Sequence, residues 1–339
     1  MIISAILYSL AFSFSCMAPL LFVSLVPFFI SLERSKNPGQ TIVRGALFGA
    51  LISTGITWWI ITAAHIEYGI SIVVSLLLFI LMTVIPMALI YMIFAAAYFY
   101  LFRQNRRRWL VLAGIPSLWV TCDFAMSLLP FAVPWVFAGY ASAPMSIFIQ
   151  AADIGGVYLL DFLIVAINAA IFVIIRDILD TPNRTLVPVK RYMLPVISLL
   201  VITAFVLGYG LYCKNRWGTI EDDVVPSNDV VLVQGNFTSR ERWKDDSIYQ
   251  RLEVYRAMTG NAVKRSRPTL AIWPETVLNS SRVSHDEFAA EMVKLLGEKS
   301  VLITGAVTVS PGNKVHNSAY VIHEDKMARY DKNILLPYA

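Results

Sequence analysis

Along the first 213 residues apolar positions run almost without interruption, and the breaks fall at charges and prolines. Uncharged stretches cover residues 2–32, 45–64, 68–102, 109–122, 124–152, 162–175 and 192–213. About 20 apolar helical residues cross the hydrocarbon core of a bilayer, so several of these stretches are long enough to span it. The opening run is broken at Met17-Ala18-Pro19, which favours a short hairpin over one long span. The remaining apolar segments pair as 45–64 with 70–102 and 109–128 with 147–175, followed by a last span over 192–213. That makes about seven spans.

Beyond residue 213 the pattern changes character. Residues 214–228 read as a linker that turns acidic from Glu221 onward, and residues 229–233 read as a buried strand. Ile248, Leu252, Tyr255 and Thr259 recur at helical spacing and mark the inner stripe of a helix over residues 245–264. A strand over 269–273, a helix over 285–298 and strands over 301–309 and 317–323 follow. The alternation predicts a layered α/β sandwich. The expected fold class is therefore a polytopic α-helical membrane domain over residues 1–213, followed by a partial α/β domain over 229–339.

Charge sharpens this division. Of the charged residues, 18 lie in residues 1–213 and 33 in residues 214–339, although the second part is much the shorter. The net charge of +5 comes mainly from loops of the membrane part, so no nucleic-acid partner is implied. All 11 Lys and Arg of that part fall in three clusters: Arg34, Lys36 and Arg44; Arg103, Arg106, Arg107 and Arg108; Arg176, Arg184, Lys190 and Arg191. Basic loops stay on the cytoplasmic side, which puts the polar third of the chain on the opposite, periplasmic face. The first basic residue is Arg34, so the apolar start lacks the basic n-region of a cleaved leader and reads as a retained anchor.

Candidate chemistry is sparse. No G-x-S-x-G elbow, phosphate loop or H-E-x-x-H stands in the chain, and the four His show no ligand spacing. Cys16, Cys122 and Cys213 all belong to the apolar part, which excludes a disulfide framework and a Cys-based metal site in the polar third; no cofactor is implied. Gly45-x-x-x-Gly49 suits a helix-packing face. Asp123, Asp153 and Asp161 lie in or beside apolar runs, where hydrogen bonding to neighbouring helices or interfacial water is their plainer role and function the sharper one. Trp58, Trp59, Trp135 and Tyr140 suit an interfacial aromatic belt, with lipid-substrate contact by the Pro134–Tyr140 stretch as the alternative. Cys213, the one thiol near the outer surface, reads as a buried thiol. In the polar third, Trp273-Pro274-Glu275-Thr276 places a carboxylate just past a strand end, where α/β folds gather ligands. Taken singly, Glu275 is a solvated turn residue and Lys332, in Tyr330-Asp331-Lys332-Asn333, a surface charge.

Together the segments carry more. VLVQGN, AIWPET, ITGAV, HNSAYVI and YDKNILLP, in this order and spacing, resemble the carbon-nitrogen hydrolase (nitrilase) superfamily. Preceded by so many spans they resemble its membrane branch, apolipoprotein N-acyltransferase, and LWVTCDF, PWVFAGY and the run from Gln150 through Gly155-Gly156 to Asn168 look like that family's middle spans. The resemblance implies an αββα sandwich bearing a Glu, Lys, Cys triad. The Cys takes a fatty acyl group from a phospholipid as a thioester and passes it to the α-amine of a lipoprotein's diacylglyceryl-cysteine. Glu275 matches the family's general base, Lys332 the lysine that supports the oxyanion, and Trp243 a substrate-contacting tryptophan. The implied partners are a phospholipid donor, an apolipoprotein acceptor and the bilayer, and the implied location is the bacterial inner membrane. In the family a Gly-Glu pair and later the nucleophilic Cys follow the YDKN-type segment; neither occurs in these 339 residues. The expectation is thus the first half of the catalytic domain, catalytically incomplete by itself. A membrane-tethered amidase using water as acceptor, and a non-enzymatic polytopic protein, are the other readings.

Overall fold

The computed structural model describes residues 1–103, 107–129, 134–179, 192–218, 230–238, 241, 248–266, 269–279, 285–297, 299–324 and 326–333. Two compact units emerge, Met1–Asp222 and Asp223–Ala339.

The first unit is helical. α1 (Ile2–Ser13) leads through a 3₁₀ turn into α2 (Leu21–Ser24) and α3 (Val26–Glu33); α4 (Pro38–Thr57), α5 (Trp59–Thr62), α6 (Ile72–Phe79) and α7 (Ile85–Leu101) follow. α8 (Arg108–Ser127), the short α9 (Ala138–Ala141), α10 (Ala152–Leu179) and α11 (Met193–Gly218) complete it. Among the described residues five stretches are long and apolar enough to cross a bilayer: Ser15–Glu33, Ile72–Leu101, Arg108–Ser127, Phe148–Leu179 and Met193–Trp217. Pro38–Thr57 and Trp59–Glu67, bent by 49° at Trp58, make a sixth if the pair is one span. The chain is a multi-pass membrane protein. α1 has 12 residues, or about 18 Å of rise, and packs back on the turn and helices that follow it. The opening hairpin has one short arm and one long.

Broken helices in an apolar medium leave backbone groups that must be satisfied inside the protein. At the break between α2 and α3 the Leu25 N–H would ordinarily bond to the Leu21 carbonyl. The fully buried Asn168 of α10 inserts there instead. Its Oδ1 accepts from Leu25 N at 2.9 Å and its Nδ2 donates to Leu21 O at 2.8 Å. A second irregular stretch, around Val136 and α9, is tied down in the same way. Tyr8 OH donates to Val136 O at 2.8 Å, and Gly139 N donates to Asp161 Oδ1 at 2.8 Å. Asp153 differs from Asp123 and Asp161: it is exposed and accepts from Tyr209 OH at 2.7 and 2.9 Å, joining α10 to α11.

Small residues and aromatics set the helix packing. Gly45 and Gly49 turn toward α7, where an added Cβ would strike the Tyr91 and Met87 carbonyls. Phe28 stacks on Phe48 at 4.0 Å between centroids, and Tyr91 packs on Trp119 at 5.0 Å. Trp58, Trp59, Trp135 and Tyr140 are exposed, and Trp59 stacks on Trp135. The described members of the three basic clusters come together at one end. Arg103 donates to the Ser35 carbonyl and Arg44 to the Ser31 carbonyl, Tyr98 OH donates to Glu33 at 2.7 Å, and Arg108 pairs with Asp177 at 2.9 Å. Arg106, Arg184, Lys190 and Arg191 lie outside the described residues.

The second unit is a mixed sheet with helices on one face. Its elements are β1 (Val230–Leu232), α12 (Ile248–Ser266), β2 (Leu270–Ile272), β3 (Leu278–Asn279), α13 (His285–Leu296), β4 (Val301–Ser310), β5 (Lys314–His323) and β6 (Lys326–Asp331). The strand order is β1-β2-β4-β5-β6, with β3 beside β4; β1, β2 and β3 run parallel to their partners, and β4, β5 and β6 pair antiparallel. Ile248, Leu252, Tyr255 and Thr259 of α12 are all buried, as the stripe predicts, and with Phe288 and Met292 of α13 they cover the register row Ala271, Leu302, Ile322. The next row, Leu232, Ile272, Ile303, Val321, Ala328, points to the other face. There Leu232 is 75% exposed and Val321 39%. This corrects one expectation: β1 is an edge strand with Val230 and Leu232 exposed, not a buried one. An apolar run shows that a strand can be covered on both faces and does not show that it is.

A side chain at Gly49 has no room unless α4 parts from α7. Gly49→Leu is expected to lower the thermal midpoint of the detergent-solubilised chain by several degrees, in line with overpacking costs of about 1–3 kcal/mol. Gly39→Ala, where a Cβ meets nothing closer than 3.5 Å, serves as the control and should leave the midpoint unchanged. Equal midpoints for both variants would show that the two helices do not approach this closely.

Candidate active site

β2 is short and parallel on both sides, so its end is fixed by backbone pairing. Trp273 N continues the ladder by donating to Ile303 O at 2.8 Å. The Trp273 ring is buried against Tyr255 and Phe288, and its Nε1 donates to Thr259 Oγ1 at 3.0 Å. The chain then has to turn toward β3 across the middle of β4. Gly305 N donates to Pro274 O at 3.0 Å, and Val277 N donates to Gly305 O at 3.0 Å. Gly305 is what permits this approach: a Cβ there would lie 2.5 Å from Glu275 Cα and 2.7 Å from both Pro274 O and Thr276 N. Thr276 adopts φ +60°, a left-handed conformation that is costly for a β-branched residue and is held by the bonds on either side of it.

Glu275 projects from this loop with its side chain 59% exposed, and Lys332, just past β6, is 37% exposed. The structure brings the two together. Lys332 Nζ lies 3.2 Å from Glu275 Oε1, although 57 residues separate them. Asn317 of β5 joins both, since its Nδ2 donates to the same Glu275 oxygen and its carbonyl accepts from Lys332 N at 2.8 Å. An ion pair this exposed contributes at most about 1 kcal/mol to stability, so fold stability does not account for the arrangement. Asp331 sets the register of Lys332. It accepts from Ser318 Oγ at 2.7 Å and from Arg329 at 2.7 and 2.9 Å, with His316 Nδ1 at 3.5 Å. The Arg329 guanidinium, then the Ser318 hydroxyl, hold the Asp331 carboxyl below the usual carboxylate range.

A cleft of about 180 Å³ adjoins Glu275, with Gln234, Asn236, Arg251, Tyr255 and Thr276 among its lining. Asn236, like Thr276, has positive φ, at 54°. The cleft therefore holds two left-handed backbone positions, one of them at the β-branched Thr276, beside the carboxylate that Lys332 reaches. Such an arrangement can take a proton onto Glu275 and place a fixed positive charge next to developing negative charge. Trp243 lies outside the described residues. No role falls to Asn317, Gly305 or Arg251 from the sequence alone; Asn317 and Gly305 stand inside the HNSAYVI and ITGAV segments, which were the available signal.

In the first unit, residues 4–170 match the apolipoprotein N-acyltransferase N-terminal domain. Residues 4–170 thus carry a domain of the apolipoprotein N-acyltransferase family, and proteins of that name are similar to most of the chain. Among its relatives, an apolipoprotein N-acyltransferase of Geobacter metallireducens is 28% identical over 99% of this chain and 63% of its own length. One from Pseudomonas syringae pv. tomato is 25% identical over 89% of this chain and 56% of its own, and one from Chlorobaculum tepidum 23% over 77% and 44%. The chain thus spans about half to three fifths of the length of these N-acyltransferases. The matches to the first two cover most of this chain, and the long one reaches into the unit that holds Glu275 and Lys332.

The depressed Asp331 carboxyl fixes the sign of a pH effect. Its bonds to Arg329 and Ser318 are in place above the unfolded carboxylate value, near 4, and are lost as pH falls through the lower folded value. A carboxyl-detected NMR titration should place the Asp331 midpoint below that of a model Asp, and Arg329→Gln should move it upward. A native midpoint at or above the model value would contradict the clamp.

Proposed function

We propose that this chain supplies the membrane domain and the Glu and Lys portion of the catalytic domain of an enzyme that moves a fatty acyl group from a phospholipid to the α-amine of an apolipoprotein's N-terminal diacylglyceryl-cysteine. The observation that carries the reading is the Glu275–Lys332 contact of 3.2 Å with Asn317 bonded to both, in a chain that carries a domain of this family. Glu275 acts as general base and takes the proton of a cysteine thiol. The thiolate attacks the ester carbonyl of the donor, and the oxyanion forms beside the Lys332 ammonium. Collapse breaks the ester C–O bond; the lysophospholipid leaves with the proton from Glu275, and the acyl group stays as a thioester. The acceptor amine then attacks the thioester, Glu275 takes the amine proton and returns it to the departing thiolate, and an amide remains. A thiol ionises only partly at neutral pH, which is why the carboxylate is needed.

The unit that holds Glu275 contains no cysteine: Cys16, Cys122 and Cys213 are the three cysteines, and all belong to the helical unit. In this proposal the nucleophile comes from outside the 339 residues, together with a second layer that covers the row Leu232, Ile272, Ile303, Val321, Ala328. Trp243 contacts substrate. The convergence of the described basic residues at one end of the helical unit supports an orientation with that end cytoplasmic and the α/β unit periplasmic, in a bacterial inner membrane.

Alkaline phosphatase fused after residue 225 should be active in cells; an inactive fusion, with a cytoplasmic-type reporter active at that site, would overturn the orientation. The purified 339-residue chain, given phospholipid and a diacylglyceryl-cysteine peptide, should form no acyl-enzyme and no N-acylated peptide by mass spectrometry. Adding the Cys-bearing remainder of a relative should restore transfer, and Glu275→Gln in that combination should reduce it by about 100-fold or more. Turnover by the 339 residues alone would place the nucleophile within them, and release of free fatty acid without peptide acylation would point to hydrolysis.

A further inference from the structure

The helical unit buries a cation that takes no part in the acyl-transfer proposal. Phe29 of α3, Phe94 of α7 and Phe172 of α10 form one fully buried layer, with Phe29 at 6.4 Å from Phe94 and 5.8 Å from Phe172 between ring centroids. Four residues further on, about 6 Å along each helix, stand Glu33, Tyr98 and Arg176. Tyr98 OH donates to Glu33 at 2.7 Å, and Tyr98 lies within electrostatic range of Arg176. Arg176 is only 5% exposed, and its guanidinium carbon lies 5.5 Å from the centroid of the Phe172 ring. Its Nε is buried without a hydrogen-bond partner, and among the described residues no acid or carbonyl bonds to the rest of the guanidinium.

The acids at this end of the bundle are engaged elsewhere, Glu33 with Tyr98 and Asp177 with Arg108 at 2.9 Å. Arg44 and Arg103 differ from Arg176, since each donates to a backbone carbonyl, of Ser31 and Ser35 respectively. Among the described residues the three basic clusters supply seven Lys and Arg here against those two acids, so the local field attracts anions. A buried charge with no counter-charge is costly to hold, and an anion from outside the chain removes that cost. The planar guanidinium fork matches phosphate oxygens, and Phe172 takes one of its faces, which leaves the N–H edge for the ligand. Arg176 stands three residues before the end of α10, about 4.5 Å along the helix axis, near the depth where headgroups meet hydrocarbon. Basic pockets between spans bind anionic headgroups. We propose that Arg176, between α3, α7 and α10, binds the phosphate of an anionic phospholipid from the leaflet at that end of the bundle. The lipid supplies the counter-charge that the chain lacks and ties together the ends of three helices.

This proposal is independent of the catalytic reading and of the orientation in the membrane. It is tested on the delipidated 339-residue chain in a non-ionic detergent, with phosphatidylglycerol as the probe. Phosphatidylglycerol should raise the thermal midpoint in a saturable way and be retained as one lipid per chain in native mass spectrometry, while phosphatidylcholine does neither. An equal rise with inorganic phosphate would show that the ligand is a free anion and overturn the lipid assignment. Arg176→Met should lower the affinity for phosphatidylglycerol by about tenfold or more. Without lipid its midpoint should equal or exceed that of the native chain, because an unpaired buried charge has been removed. Lys36→Gln, an exposed change in the same basic cluster, should weaken binding by no more than about threefold. A lower lipid-free midpoint for Arg176→Met would show that Arg176 is held by a partner within the chain and overturn the proposal, as would an affinity equal to that of the native chain. If Arg176→Met does not fold, Arg176→Lys, which keeps the charge and loses the fork, decides: it should fold and bind phosphatidylglycerol several-fold more weakly, and unchanged binding would place the lipid elsewhere.

Discussion

Backbone N–H and C=O groups withdrawn from water must find partners within the protein, and the structure is organised around the places where regular helix and sheet fail to provide them. In the helical unit the decisive instance is Asn168. Its carboxamide enters the α2–α3 break and replaces a backbone bond with two bonds from one side chain, at 2.9 and 2.8 Å. A long apolar stretch containing Pro27 can thereby remain in a bundle core although it is not one continuous helix. The substitution also fixes the rotation of α10, because Asn168 and Asp161 lie seven residues apart, two turns, on nearly one face. With Asn168 engaged at one level, Asp161 is presented at another, where Gly139 N requires an acceptor.

The same constraint shapes the candidate site. The loop after β2 cannot leave the sheet freely, since Pro274 O and Val277 N are both claimed by Gly305. That double bond draws the Glu275 backbone onto β4, a proximity open only to glycine. Glu275 is thus held from behind by main chain and presents its carboxylate outward. On the other side, the antiparallel pairing of β5 with β6 sets Ser318 opposite Asp331, so Lys332 emerges beside Asn317. The electrostatics of the pair are secondary to this placement. Exposed charges attract weakly, and the positions from which they do so are determined by ladder bonds.

Much of this was legible in residue order. Apolar runs located the spans, because a helix that crosses lipid has few alternatives to being apolar. The stripe Ile248, Leu252, Tyr255, Thr259 named the buried side of α12 because a helix against a sheet buries one face. β3, with two residues, Leu278 and Asn279, is too short for any periodicity to show. The exposure of β1 was equally hidden: Val, Val and Leu read the same whether or not a layer covers them. For the site, the motifs WPET and YDKN named Glu275 and Lys332, while Asn317 had no distinguishing chemistry until the fold set its amide against the carboxylate.

By itself the sequence determined a division into a lipid-facing part and a polar α/β part, the clustering of basic residues in three loops, and the two charged residues worth watching, since composition and spacing act locally and are written in order along the chain. Which buried polar side chain meets which orphaned backbone group was decided only by tertiary structure: Asn168 with Leu21 and Leu25, Asp161 with Gly139, Gly305 with the Glu275 loop, Asn317 with Glu275 and Lys332. A hydrogen bond depends on tenths of an ångström and on direction. Partners as far apart as 147 residues in Leu21 and Asn168 are brought to that tolerance by the packing of whole elements, which no local pattern encodes.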